Sequence, residues 1–87
     1  MEIDYLVIAL EKTLSFLRES ESSLYSSLTV EEVFREIEEH LEKLKESQSI
    51  DIERLRFLFG PTGSIQEISI DNGWGKEFLE IAEVVDL

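Results

Sequence analysis

Eighty-seven residues carry 20 acids, 8 bases, one histidine and no cysteine, a formal net charge of −12. The length allows one domain, and 43% apolar residues are too many for a disordered acidic tail. The charge excludes nucleic acid and anionic membrane surfaces as partners, because phosphates require clustered Lys and Arg; the missing cysteine excludes disulfides, thiolate zinc sites and cysteine nucleophiles.

The chain opens Met1-Glu2-Ile3-Asp4, without a cationic leader segment, and no apolar run approaches the ~20 residues of a membrane span. A cytoplasmic location is the expectation. All four glycines and the one proline fall between residues 60 and 75, so the preceding chain lacks strong helix breakers. From Ile3 to Arg18, Ile3, Leu6, Leu10, Leu14 and Leu17 recur at three- and four-residue steps and predict the first helix. Tyr5, Val7, Ile8, Ala9 and Phe16 broaden this stripe.

Glu19 to Leu28 is serine-rich and reads as a connection, with room for one turn around Leu24 and Tyr25. Thr29 with Glu32 forms the spacing of a capping box. It opens a helix over Val30–Lys45 with Val30, Val33, Phe34, Ile37, Leu41 and Leu44 on one face. Ser49 is the expected cap of a third helix, Ile50–Phe59, which turns Ile52, Leu55, Leu58 and Phe59 inward. Gly60-Pro61 ends it, with glycine free to take a left-handed cap. Ser64 and Glu67 repeat the capping-box spacing and favour a short helix over Ile65–Ile70, closed by Asn72-Gly73. The competing reading is a strand over Glu67–Ile70 before an Asp-Asn-Gly turn. A last helix runs from Gly75 or Lys76 to Val85, with Phe78, Ile81, Ala82 and Val85 together. The expected fold is all-α: a bundle of four to five helices, one domain, with a Gly/Pro elbow at 60–75.

Few residues offer chemistry. His40 lies at the edge of the second helix's apolar stripe, between Ile37 and Leu41 on one side and Glu36 and Lys43 on the other. As a general base it would use Glu36 or Glu39; as a boundary residue it packs its ring and donates to a neighbour, which is the expected role. None of the ten serines stands in a Gly-x-Ser-x-Gly elbow. Gly60-Pro61-Thr62-Gly63-Ser64 starts like a phosphate loop, but Ile65-Gln66-Glu67 supplies no lysine. A calcium loop starting at Asp71 would meet Gly73 and Gly75 at ligand positions. Neither a catalytic set, a metal site nor a cofactor is expected.

The charge has a clearer pattern. At about 100° per residue, Glu31, Glu38, Glu39, Glu42 and Glu46 fall opposite the second helix's core stripe, with Arg35 the one base among them. Glu38, Glu42 and Glu46 are four apart, and each like-charge pair costs about 0.2–0.5 kcal/mol. Glu31–Arg35 and Glu39–Lys43 are expected to offset this in part. The face reads either as a solvated surface or as one shaped for a basic partner. The C-terminal part adds Glu77, Glu80, Glu83 and Asp86 against Lys76. Between the acid groups lies Asp71-Asn72-Gly73-Trp74-Gly75. Its tryptophan is either a core plug or an exposed anchor, a residue type favoured at interface hot spots. The candidate partner-binding residues are Glu31, Glu38, Glu39, Glu42, Glu46, Asp71, Trp74, Glu77 and Glu80.

The run Leu55-Arg56-Phe57-Leu58-Phe59-Gly60-Pro61-Thr62-Gly63-Ser64-Ile65-Gln66-Glu67-Ile68-Ser69-Ile70, continued by Asn72-Gly73-Trp74-Gly75, resembles small acidic bacterial proteins. Some of these accompany polymorphic or contact-dependent growth-inhibition toxins as immunity proteins. The likeness spans about residues 55–82. It implies a protein that binds a cognate toxin domain and blocks it, and it transfers no binding residue by motif. A basic nuclease is the partner that an acidic surface would suit. A helical adaptor and a general DNA mimic are the alternatives.

Overall fold

The computed structural model describes residues 3–61 and 63–86. The expectations placed on Met1, Glu2 and Thr62 lie outside these residues, as does the side chain of Ile3. The described chain forms five helices and, among the described residues, no strand: α1 Ile3–Arg18, α2 Val30–Lys45, α3 Ile52–Leu58, α4 Ser64–Asp71 and α5 Gly75–Asp86.

The buried face of α1 is Leu6, Ala9, Leu10, Thr13, Leu14 and Leu17, the three- and four-residue repeat of the sequence. Thr13 is fully buried, and its hydroxyl donates to the Ala9 carbonyl at 2.8 Å, which offsets the desolvation of the oxygen. Tyr5 and Ile8, counted above with the apolar stripe, are exposed. The segment to α2 makes one hydrogen-bonded turn, Ser26 N–H to the Ser23 carbonyl, with Leu24 and Tyr25 at its tip.

At α2 the capping box forms as expected. The Glu32 amide donates to Thr29 Oγ1 at 3.1 Å, and the Thr29 amide donates to Glu32 Oε1 at 3.0 Å. Val33 and Ile37 are completely buried, with Val30, His40 and Leu41 beside them. The helix ends in a reciprocal pair of bonds, Gln48 N–H to the Lys43 carbonyl and Ser47 N–H to that of Leu44. This Schellman arrangement needs a left-handed residue, and Ser47 supplies it at φ 58°.

The next two caps differ from expectation. The cap of α3 is Asp51, whose carboxylate accepts from the Arg54 amide at 3.0 Å; Ser49 is two residues too early, because the helix begins at Ile52 and not Ile50. Ser64 does not cap α4: it is already the first helical residue, Gly63 holds the cap position, and no side chain bonds there. Gly60 is not left-handed either, since Gly73 at φ 82° is the one glycine with positive φ among the described residues. What demands glycine in the elbow is Gly63. A Cβ there would lie 3.0 Å from the carbonyl oxygens of Phe57, Leu58 and Gly60.

Residues 64–71 are helical, not extended. Ile65 and Ile68 share the buried face while Ile70 stays exposed, whereas a strand would have set Ile68 and Ile70 on one side. Gly73 closes α4, with Trp74 N–H reaching the Ser69 carbonyl at 2.9 Å. Trp74 is the plug of the two alternatives. It is buried, its ring stacks on Phe16 with centroids 4.9 Å apart, and its Nε1–H donates to Ser20 Oγ at 2.9 Å. Phe78, Ile81 and Val85 bury one face of α5. α1 packs against both α2 and α5, α4 against α5 and α2, and α3 against α5. The side of α2 turned from this core is thereby left to solvent.

Candidate protein-binding surface

Five glutamates occupy that outer side. Glu31, Glu38, Glu39, Glu42 and Glu46 are all exposed, with Arg35 exposed among them. The expected compensation is absent: neither Glu31–Arg35 nor Glu39–Lys43 closes to an ion pair among the described residues. Three other bases are engaged elsewhere, while Arg35 stays on the face. Arg54 holds Glu36 with two bonds, Nε to Oε1 at 2.7 Å and Nη2 to Oε2 at 2.8 Å. Lys45 reaches back to Glu11 on α1 at 3.5 Å, and the Arg18 guanidinium lies 5.5 Å from the Phe34 ring centre. The face thus sets five exposed carboxylates against Arg35 and is net negative.

Two carboxyls at its edge behave differently. Hydrogen bonds from Arg54 hold the Glu36 carboxyl below the usual range, against a smaller opposing effect of burial. The same contact raises Arg54. Glu32 is also lowered, first by the Thr29 amide and then by the Thr29 hydroxyl. On the other flank, Leu17, Val30 and Phe34 floor a shallow depression of about 370 Å³ bordered by Arg18, Arg35, Glu31 and Glu38. The α2 face thus combines unpaired carboxylates with a partly apolar margin.

The other sequence candidates lie apart from this face. Asp71 ends α4 and accepts from Ser23 Oγ, beneath the α1–α2 connection. Glu77 and Glu80 are exposed on α5, where they border a groove of about 570 Å³ between α1 and α5 with Tyr5, Ile8, Phe16 and Lys12. Trp74 lies under the surface, so its ring is no anchor for a partner. Two features leave little mark in the sequence. The Arg54–Glu36 pair joins positions 18 apart on different helices, with no local signal. Leu24 and Tyr25 are 97% and 78% exposed, and their setting among serines was the available sign.

His40 is buried at the stripe's edge, with Nδ1–H donating to the Glu36 carbonyl at 2.7 Å; the Glu36 carboxylate beside it is taken by Arg54. Among the described residues no group of three or more His, Asp or Glu side chains is placed to share a metal ion. No helix among them is long and apolar enough to cross a membrane. No known protein family, curated protein or solved structure matches the chain.

Proposed function

We propose that this protein is an immunity protein, which binds a cognate bacterial toxin domain in the cytoplasm through the acidic face of α2 and blocks it. One observation carries this reading: Glu31, Glu38, Glu39, Glu42 and Glu46 are exposed and unpaired, while Arg54 and Lys45 are committed to Glu36 and Glu11. Repulsion along Glu38, Glu42 and Glu46 is retained in the free protein and relieved by basic groups of a partner. A nuclease domain has such groups, since it must hold phosphates in a basic cleft. The same field steers encounter, which reaches ~10⁸–10⁹ M⁻¹s⁻¹ when charges complement each other. Obstruction of a cleft needs a rigid acidic surface and no reacting group, so the proposal assigns no catalytic residue. The likeness of residues 55–82 to immunity proteins points to a toxin as the partner.

This function expects a toxin domain encoded beside this chain, and co-expression of the two is the test. Co-purification and restored viability are expected; a stable toxin that still kills in its presence would overturn it. The groove between α1 and α5 favours a second reading, a helical adaptor, because exposed Tyr5 and Ile8 stand over an apolar floor. Light scattering separates the two: an uncovered adaptor face drives self-association of the isolated chain, and the immunity reading expects a monomer.

A further inference from the structure

The connection between α1 and α2 is bonded far more heavily than a linker requires. The Glu21 amide donates to Asn72 Oδ1 at 2.9 Å, and Asn72 Nδ2 returns a bond to the Glu21 carbonyl at 2.7 Å. Ser23 is buried, donates from Oγ to Asp71, and accepts on the same oxygen from the Tyr25 amide at 3.1 Å. Ser22 Oγ accepts from the Val30 amide at 2.9 Å. These bonds fix the backbone on the end of α4 and the start of α2, yet Leu24 and Tyr25 at the tip are almost wholly exposed. Two large apolar side chains are thus held out to water on an ordered loop. Ordering in advance removes an entropic cost of association, and tyrosine is among the residues that dominate interface energies.

We propose that Leu24 and Tyr25 are the apolar anchors of the toxin interface, seated in a hydrophobic pocket of the partner bordered by Lys or Arg. The inference rests on the toxin-binding reading and extends the contact surface beyond α2. Charge selects the occupant. Residues 18–35 carry Glu19, Glu21, Glu31 and Glu32 against Arg18 and Arg35 at the two ends, and Asp71 lies under the tip, so the surroundings are net acidic. A second copy would bring acids against acids, and an anionic lipid surface would be repelled likewise. A basic-rimmed apolar pocket satisfies both the side chains and their surroundings.

The toxin-binding reading expects a toxin domain encoded beside this chain; purified and catalytically inactivated, that domain is the probe, with binding followed by surface plasmon resonance. Leu24→Ala and Tyr25→Ala should each raise Kd by about 30-fold or more, mainly through faster dissociation, as hot-spot truncations do. Glu38→Lys with Glu42→Lys should instead slow association. Circular dichroism of the tip variants should match the parent, since neither side chain is packed. Tip variants that bind within threefold of the parent, with the charge reversal still weakening binding, would overturn the anchor proposal and leave the α2 reading standing. An unmodified chain that does not bind would overturn that reading and this inference with it.

Discussion

Arg54 grips the Glu36 carboxylate through both Nε and Nη2, and so ties the first turn of α3 to the middle of α2. The main packing of α3 is against α5, which makes this fork a polar link between helices that share little apolar contact. Both side chains are partly exposed, so screening keeps the contribution small. Arg54→Ala should cost about 0.5–1 kcal/mol at pH 7 in urea unfolding. The pH dependence has a definite sign. Glu36 titrates lower folded than unfolded, so its stabilisation is complete above about pH 4.3, the ordinary glutamate value, and is lost as pH falls through the folded pKa. The difference between parent and variant should therefore shrink in acid; a gap that is constant from pH 7 to pH 2.5 would contradict the assignment.

Charge reversal on α2 should separate folding from binding. Glu42 stands four residues from both Glu38 and Glu46, all three exposed. Glu42→Lys replaces two repulsive pairs with two attractive ones and should stabilise the isolated protein by roughly 0.5–1.5 kcal/mol at low salt. Most of the gain should vanish in 1 M NaCl, where the Debye length is about 3 Å. A destabilised variant would mean that this face is not electrostatically strained.

Ser47 occupies a conformation that side chains avoid. Its φ of 58° is imposed by the two bonds that close α2. Left-handed backbone costs a non-glycine residue about 1–2 kcal/mol, and part of that is returned as unfolded-state entropy when glycine is introduced. Ser47→Gly should raise stability by about 0.5–1 kcal/mol with an unchanged denaturant slope.

Gly63 should show the opposite behaviour. Its alpha carbon faces three carbonyl oxygens, each 3.0 Å from where a Cβ would stand, and backbone cannot swing aside as a side-chain tip can. Gly63→Ala is expected to lose about 1–3 kcal/mol, the ordinary range for overpacking. Thermal unfolding measures it, and Gly73→Ala makes a useful contrast. That position is open but has φ 82°, so its loss would come from torsion alone.

What the sequence made legible follows the range over which each force acts. α1 and α2 have the bounds that apolar spacing and the Thr29–Glu32 box indicate, because both signals lie within single helical turns. The exposure of Glu31, Glu38, Glu39, Glu42 and Glu46 followed from the same periodicity. The caps of α3 and α4 were misplaced because serines at 49 and 64 have the right chemistry, but local sequence does not say which backbone angle each adopts. Tertiary contacts were invisible: Arg54 could have paired with any of many glutamates, and Trp74 meets Ser20 across 54 positions. The serines around Leu24 and Tyr25 suggest a turn there, but not which way its side chains face. Bonds of Ser23 to Asp71 and of Glu21 to Asn72 tie the turn to the end of α4 and leave Leu24 outward.

The single tryptophan stands where α1, α5 and the start of the α1–α2 connection meet, 4% exposed, its ring against Phe16 and its N–H on Ser20. Under excitation that spares Tyr5 and Tyr25, fluorescence from the native chain has one origin, in a dry setting shared by three segments. Separation of α1 from α5 would wet the indole and shift its emission to the red. The molecule carries a built-in optical gauge of its own helix pairing, ready for use without any added dye.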